Sequence, residues 1–228
     1  MRVLNKYSAL LLDMNGTFMF GHDRFGEAED FHRTYRSLGG NTLSKHEVKR
    51  CMRKCFDSLD RDSTNPAVYD DFPSLAEAFQ RYSNPPESEL PLLQRVFALH
   101  EAGTVSEAHA SLLQRLARTH RLALVSNIWS PKQPWLDEFK RAGLGGVFQH
   151  QVFSSDFRSI KPSPVLFREA LRGLDKRPQD CLFIGDSLRC DMEGACRVGI
   201  ATAWLSPKTE QPESVGYLIS NLAQIEEL

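Results

Sequence analysis

Four segments of the chain end in side chains that could do chemistry together. Asp13 closes the apolar run "SALLL" and leads into Asn15-Gly16-Thr17, while Ser126 and Asn127 close "RLALVSN". Lys161 lies in "SIKPSP", and Asp186 follows "CLFIG", with Asp191 a short way beyond it. Asp13, Asp186 and Asp191 would bring together enough carboxylate charge to need a cation, and a hard, oxygen-only set suits Mg²⁺. A lysine and a hydroxyl beside that ion make a phosphate cradle, because phosphoryl oxygens need several cationic and hydrogen-bonding partners. A strand-tip carboxylate in such a cradle can attack phosphorus and form an aspartyl-phosphate. Taken singly, each residue has a bland reading: Asp and Ser are common in turns and caps, and Lys161 could be solvated. Four such endings at one edge of a sheet are harder to explain that way.

The elements that must carry these residues read as an α/β fold. Short apolar runs at 8–12, 121–127, 146–153, 181–185 and 201–205 have strand length and little polar alternation, the pattern of a parallel sheet covered on both faces. Amphipathic stretches at 107–120, 136–143, 164–174 and 191–199 lie between them as helices. Ser163 is placed to cap one of these with Pro164 at its first position, and two others run into Gly143 and Gly199. The reading is a Rossmann-like, doubly wound parallel sheet, whose ligand site lies beyond the carboxyl ends of the strands. One interval breaks the rhythm. From 21 to 104 no strand is expected, but helices are, at 27–38, 44–59, 73–83 and 88–101, with Ser44 and Glu47 spaced as a capping box.

Composition limits the rest. The chain has 228 residues, 41% apolar and 25% charged, which suits a folded core plus an insertion. A formal net charge of -1 supplies no field for a nucleic-acid backbone. There is no apolar run long enough to span a bilayer, and the start of the chain lacks a signal-peptide pattern. The five cysteines include no C-x-x-C pair, and Cys51 and Cys55 read as two thiols on one helix. The expectation is a cytoplasmic monomer or homodimer in a reducing compartment, with no nucleic-acid or membrane partner.

"DMNGTF", "LVSN", "SIKPSP" and "GDSLRCDMEGA" resemble, in order, the four motifs of the haloacid dehalogenase (HAD) superfamily, whose usual first motif reads D-x-D-G-T. The resemblance covers 1–20 and 105–228 and implies a core domain there, with 21–104 as an inserted helical cap of the C1 type. It implies that Asp13 is nucleophile and metal ligand, and that Ser126, Asn127 and Lys161 hold the phosphoryl group. Asp186 would bind Mg²⁺, with Asp191 supporting it directly or through water, while Gly16 and Thr17 match the turn after the nucleophile. The implied activity is Mg²⁺-dependent hydrolysis of a small phosphomonoester. Dehalogenation is disfavoured, because that branch of the superfamily does not need the metal-site carboxylates.

Asn15 departs from the pattern. Phosphatases of the superfamily place there the Asp that protonates the leaving group and then activates water, and an amide cannot shuttle that proton. The metal contact implied at this position comes from the backbone carbonyl, which Asn retains. Three readings follow: a hydrolase with impaired or altered proton transfer, a phospho-ligand-binding or regulatory protein without turnover, or an Asp-to-Asn substitution engineered to trap substrate. His22 and Asp23 could approach the site as substitute acids, although an exposed turn is the plainer reading. Arg24, Arg33 and Arg36 are expected to be surface residues more than substrate contacts.

Overall fold

The computed structural model describes residues 3–208, 210–213 and 215–228, so the first two residues of the expected core lie outside it. Six parallel strands form the main sheet: β1 (Ala9–Leu12), β4 (Arg121–Ser126), β5 (His150–Phe153), β6 (Cys181–Gly185), β7 (Ala201–Leu205) and β8 (Tyr217–Ile219). Their spatial order is β5-β4-β1-β6-β7-β8. Winding therefore runs outward from β1 in one direction through β4 and β5, and in the other through β6 to β8. The reversal falls between β1 and β6, where an open α/β sheet makes its ligand crevice.

Alternate residues of the central strands feed two different cores, which is why these strands show no polar alternation. Leu10, Leu12, Leu122, Leu124, Leu182 and Ile184 point to one face. Ala9, Leu11, Ala123, Val125, Cys181 and Phe183 point to the other. Helices α5 (Glu107–Leu116) and α6 (Gln133–Arg141) supply the first core, and α7 (Pro164–Leu174) and α8 (Gly194–Arg197) the second. Ser163 caps α7 by accepting from the Val165 N–H, with Pro164 at its start. Gly143 and Gly199 follow their helices at φ +69° and +79°, the left-handed region that glycine enters without a steric penalty.

Between β1 and β4 the chain forms α1 (Phe31–Ser37), α2 (Lys45–Ser63), α3 (Leu75–Tyr82) and α4 (Leu90–Glu101). They share a separate core that includes Phe25, Phe31, Met52, Phe79 and Phe97, and Cys51 and Cys55 are buried in it as free thiols. The capping box at Ser44 and Glu47 forms, and a second one forms at Ser74 and Glu77. A two-stranded ribbon joins this unit to the sheet domain: β2 (Met19–Phe20) pairs antiparallel with β3 (Thr104–Val105). Residue 104 therefore lies in a strand, at the very end of an interval in which none was expected.

Three other details differ from the expected elements. The segment 146–153 becomes strand only from His150. The helix expected over 191–199 begins earlier, as a π-helical turn over Leu188–Glu193 that widens the chain path just beyond β6. The strand β8 was not foreseen, because three residues at a sheet edge are too few to show periodicity.

Candidate active site

Strand register sets the level of the site. Leu12 pairs with Leu124 on one side and Ile184 on the other, so the chain ends of β1, β4 and β6 lie side by side. Asp13 is one residue past this level, held by its N–H donating to the Ile184 carbonyl at 2.9 Å. Ser126 is the last residue of β4, and Asp186 directly follows β6.

The structure brings the expected residues together. Lys161 Nζ donates to Asp13 Oδ1 at 2.5 Å and to Asp191 Oδ1 at 2.7 Å, and all three side chains are buried. Thr17 Oγ1 donates to the other Asp13 oxygen at 3.4 Å. Asp13, Asp186 and Asp191 each offer an oxygen within 4.8 Å of the other two. Two glycines permit this crowding. A Cβ on Gly16 would lie 2.3 Å from Asp186 Oδ2, and one on Gly185 would lie 2.4 Å from Asp191 Oδ2. Gly16 also turns the backbone at φ +79°.

Electrostatics follow from this packing. Partial burial, then the charge of Asp13, push Asp186 up to about 6, although Lys161 and His22 pull it back. Burial pushes Asp191 up to about 7, with Asp13 adding to the effect and Lys161 and the Ser187 N–H opposing it. Burial alone would lower the Lys161 ammonium, but Asp13 and Asp191 outweigh it and the net shift is upward. Crowded carboxylates whose protonation is poised near neutrality are what a cation would relieve.

Among the described residues, the buried polar atoms left without a partner include three of these candidate residues: Ser126 Oγ, fully buried, Asn15 Oδ1 and His22 Nδ1. A buried hydroxyl left unpaired costs on the order of 1–3 kcal/mol, so its place in a fold calls for a ligand or a solvent molecule as partner. Asn127 is already engaged: its Oδ1 accepts the Lys161 N–H at 2.8 Å and its amide donates to the Lys161 carbonyl at 3.4 Å. It therefore fixes the backbone that presents the lysine, a positioning contact that the sequence alone did not suggest.

Asp13, Asn15, Asn127, Lys161, Asp186 and Asp191 line a cleft of about 290 Å³ whose far wall comes from the helical unit, including His22, Asp23, Ser63 and Glu101. Glu101, the last residue of α4, went unnoticed in the sequence. Its carboxyl accepts from the Trp129 N–H at 2.6 Å, from the Ser130 N–H at 3.0 Å and from the Ser130 hydroxyl, and so pins the loop after Ser126-Asn127. Burial, then Asp23, push Glu101 up to about 8 against those donors. A carboxylate ending a helix just before Gly103 was the only local signal. His22 and Asp23 do reach the cleft. Arg33 and Arg36 are exposed, and Arg24 is spent on the carbonyls of Gly21, Leu99 and Ala102.

Fold and site together define a Rossmann-like α/β protein with an acidic, lysine-bridged site at the switch point of its sheet. The chain belongs to the haloacid dehalogenase-like hydrolases, whose family model matches residues 7–199. Over 123 residues it is 30% identical to the glyceraldehyde 3-phosphate phosphatase of Pyrococcus furiosus, covering 51% of this chain and 50% of that protein. The chain thus spans about half the length of the curated relatives it matches. Among solved structures, a 2-haloacid dehalogenase from Pseudomonas syringae pv. Tomato DC3000 superposes with a TM-score of 0.67 at 18% identity, covering 97% of each chain. A HAD phosphatase from Thermococcus onnurineus does so at 0.64 with 23% identity and 96% of each chain. At these identities the two structures speak for the fold. Among the described residues no helix is long and apolar enough to cross a membrane.

Proposed function

We propose that the protein is a Mg²⁺-dependent hydrolase of small phosphomonoesters that works through an aspartyl-phosphate at Asp13, with proton transfer weakened by Asn15. The observation that carries this reading is the buried Asp13 carboxylate bonded to a lysine and grouped with two further carboxylates, with the Ser126 hydroxyl at the end of the neighbouring strand left unpartnered. The phosphatase name of the Pyrococcus relative supports the same reaction class.

The residues present fit a hard divalent cation. Asp13, Asp186 and the Asn15 backbone carbonyl would hold Mg²⁺, with Asp191 acting directly or through water. When bound, the ion neutralises charge on the phosphoryl oxygens. Asp13 supplies the attacking oxygen. Ser126 donates its hydroxyl to a phosphoryl oxygen, and the Lys161 ammonium, presented by Asn127, balances negative charge gathered at phosphorus. The Asn15 amide can hydrogen-bond to the leaving-group oxygen but has no proton to give it. Loss of a general acid costs roughly 10²–10⁴ in rate, chiefly for leaving groups that are poor anions.

The helical interval 21–104 acts in this reading as a lid. Backbone bonds tie it to the core in its present position: Phe72 N–H to the Arg158 carbonyl at 3.1 Å, and Ile160 N–H to the Tyr69 carbonyl at 2.9 Å. Closure over the cleft would exclude water from the phosphoryl group.

A second reading, binding of a phosphorylated ligand without turnover, is favoured by Asn15 alone. The test combines Mg²⁺ calorimetry with hydrolysis of p-nitrophenyl phosphate in the wild type and in Asp186→Ala. The hydrolase reading expects Mg²⁺ binding that Asp186→Ala abolishes, together with Mg²⁺-dependent release of nitrophenol. Equal Mg²⁺ affinity in both proteins would reject the metal site. Metal binding without any release of nitrophenol would leave the ligand-binding reading.

A further inference from the structure

The cleft is lined by five carboxylates and two cations, Lys161 and Arg189. Lys161 is paired with Asp13 and Asp191. Arg189 forms no ion pair among the described residues. Its Nη1 donates to the Tyr69 hydroxyl at 2.7 Å and to the Ser63 carbonyl at 3.1 Å, and the guanidinium stands over the Tyr69 ring. These bonds tie one edge of the guanidinium to the helical unit. The other edge, Nε and Nη2, has no hydrogen-bond partner among the described residues and is not among the buried unpartnered atoms, so it is accessible to solvent on a residue that lines the cleft.

We propose that Arg189 selects substrates that carry a second anionic group, a carboxylate or a second phosphate, on the leaving-group side of the phosphoester. The inference rests on the phosphoryl site proposed above and adds the substrate class. A second anion entering beside the Asp13, Asp186 and Asp191 cluster is repelled unless a cation meets it, and Arg189 is the only lining cation without a carboxylate partner among the described residues. A guanidinium edge with parallel N–H donors matches a carboxylate or phosphate in two bonds, which a lysine cannot do. Arg189 lies in the turn between Asp186 and Asp191, so an anion it holds stays close to the phosphoryl group. The small volume of the cleft, about 290 Å³, favours a short substrate in which both charges are a few bonds apart. Because Nη1 holds Ser63 and Tyr69, the same residue joins the bound anion to the helical unit.

The test compares phosphoglycolate with its neutral analogue 2-hydroxyethyl phosphate, and with inorganic phosphate, by calorimetry in the presence of Mg²⁺. Wild type should bind phosphoglycolate about 10-fold or more tightly than the neutral analogue, the size of one good charge-assisted hydrogen-bond pair. Arg189→Gln should bring that ratio close to 1 while leaving inorganic phosphate affinity unchanged, and Arg189→Lys should recover only part of it. A wild-type ratio near 1, with phosphate still bound, would overturn the proposal and leave the phosphoryl site standing. Equal weakening of all three ligands by Arg189→Gln would also overturn it, making Arg189 only a latch to the helical unit. If wild type binds none of the three, the phosphoryl-site reading fails together with it.

Discussion

Replacing Asn15 by Asp tests how much of the chemistry this one amide withholds. Asn15 Oδ1 is buried and unpartnered, so a carboxyl of nearly the same shape enters with one oxygen already out of water. Three carboxylates meet nearby within 4.8 Å. A fourth ionised carboxylate nearby is opposed by like charge, which for any pair at about 5 Å amounts to about 3 kcal/mol at an effective dielectric of about 20. Desolvation and like charge both push such a carboxyl upward, which keeps it protonated and suits it to act as an acid. The metal-free variant should therefore melt below wild type, and Mg²⁺ should restore more stability to it than to wild type. Single-turnover hydrolysis of an alkyl phosphate should rise by roughly 10²-fold or more, and that of an aryl phosphate by much less, because only the alkoxide strongly needs the proton. A binding-only protein would show no turnover in either form. An enzyme that already uses another acid would show good wild-type rates and little gain. If Asn15→Asp hydrolyses the alkyl phosphate no faster than wild type, the missing-proton account is refuted.

Gly16→Ala should strain the turn by about 1–2 kcal/mol at its positive φ and push Asp186 aside, since the new Cβ would lie 2.3 Å from its Oδ2. Mg²⁺ titration should show about 10-fold or more weakening. Lys161→Met leaves Asp13 and Asp191 facing each other in a buried site and should destabilise the metal-free protein by about 3–5 kcal/mol, read by denaturant unfolding. For Glu101 the folded state holds its proton more tightly than the unfolded chain does, with values of about 8 against 4.5. The stability it contributes is therefore complete below about 4.5 and lost as pH rises through about 8. Glu101→Gln should flatten the fall of the melting temperature between pH 6 and pH 9, and an unchanged slope would show that Glu101 is not the group responsible.

The places where the chemistry begins are legible along the chain. Strand ends are local events: an apolar run stops, and the next residue is Asp13, Ser126 or Asp186. The four motifs, the length of the runs and the caps at Ser44 and Ser163 need only neighbours along the chain, so they could be read without a structure. Other features depended on atoms that only folding brings together. The bridge from Lys161 to Asp13 and Asp191 joins residues far apart in sequence, and so does the hold of Asn127 on the lysine backbone. Glu101 looked like a helix end until the loop at Trp129 and Ser130 came within reach of its carboxyl. Gly185 carries no sign of its task until Asp191 folds back against it. The short strand β8 exists because β7 offers it an edge, not because its three residues favour one. Local patterns select the elements, because propensity and hydrophobic period act over a few residues. Register, burial and charge pairing select the site, because those energies exist only once distant segments share the same small volume.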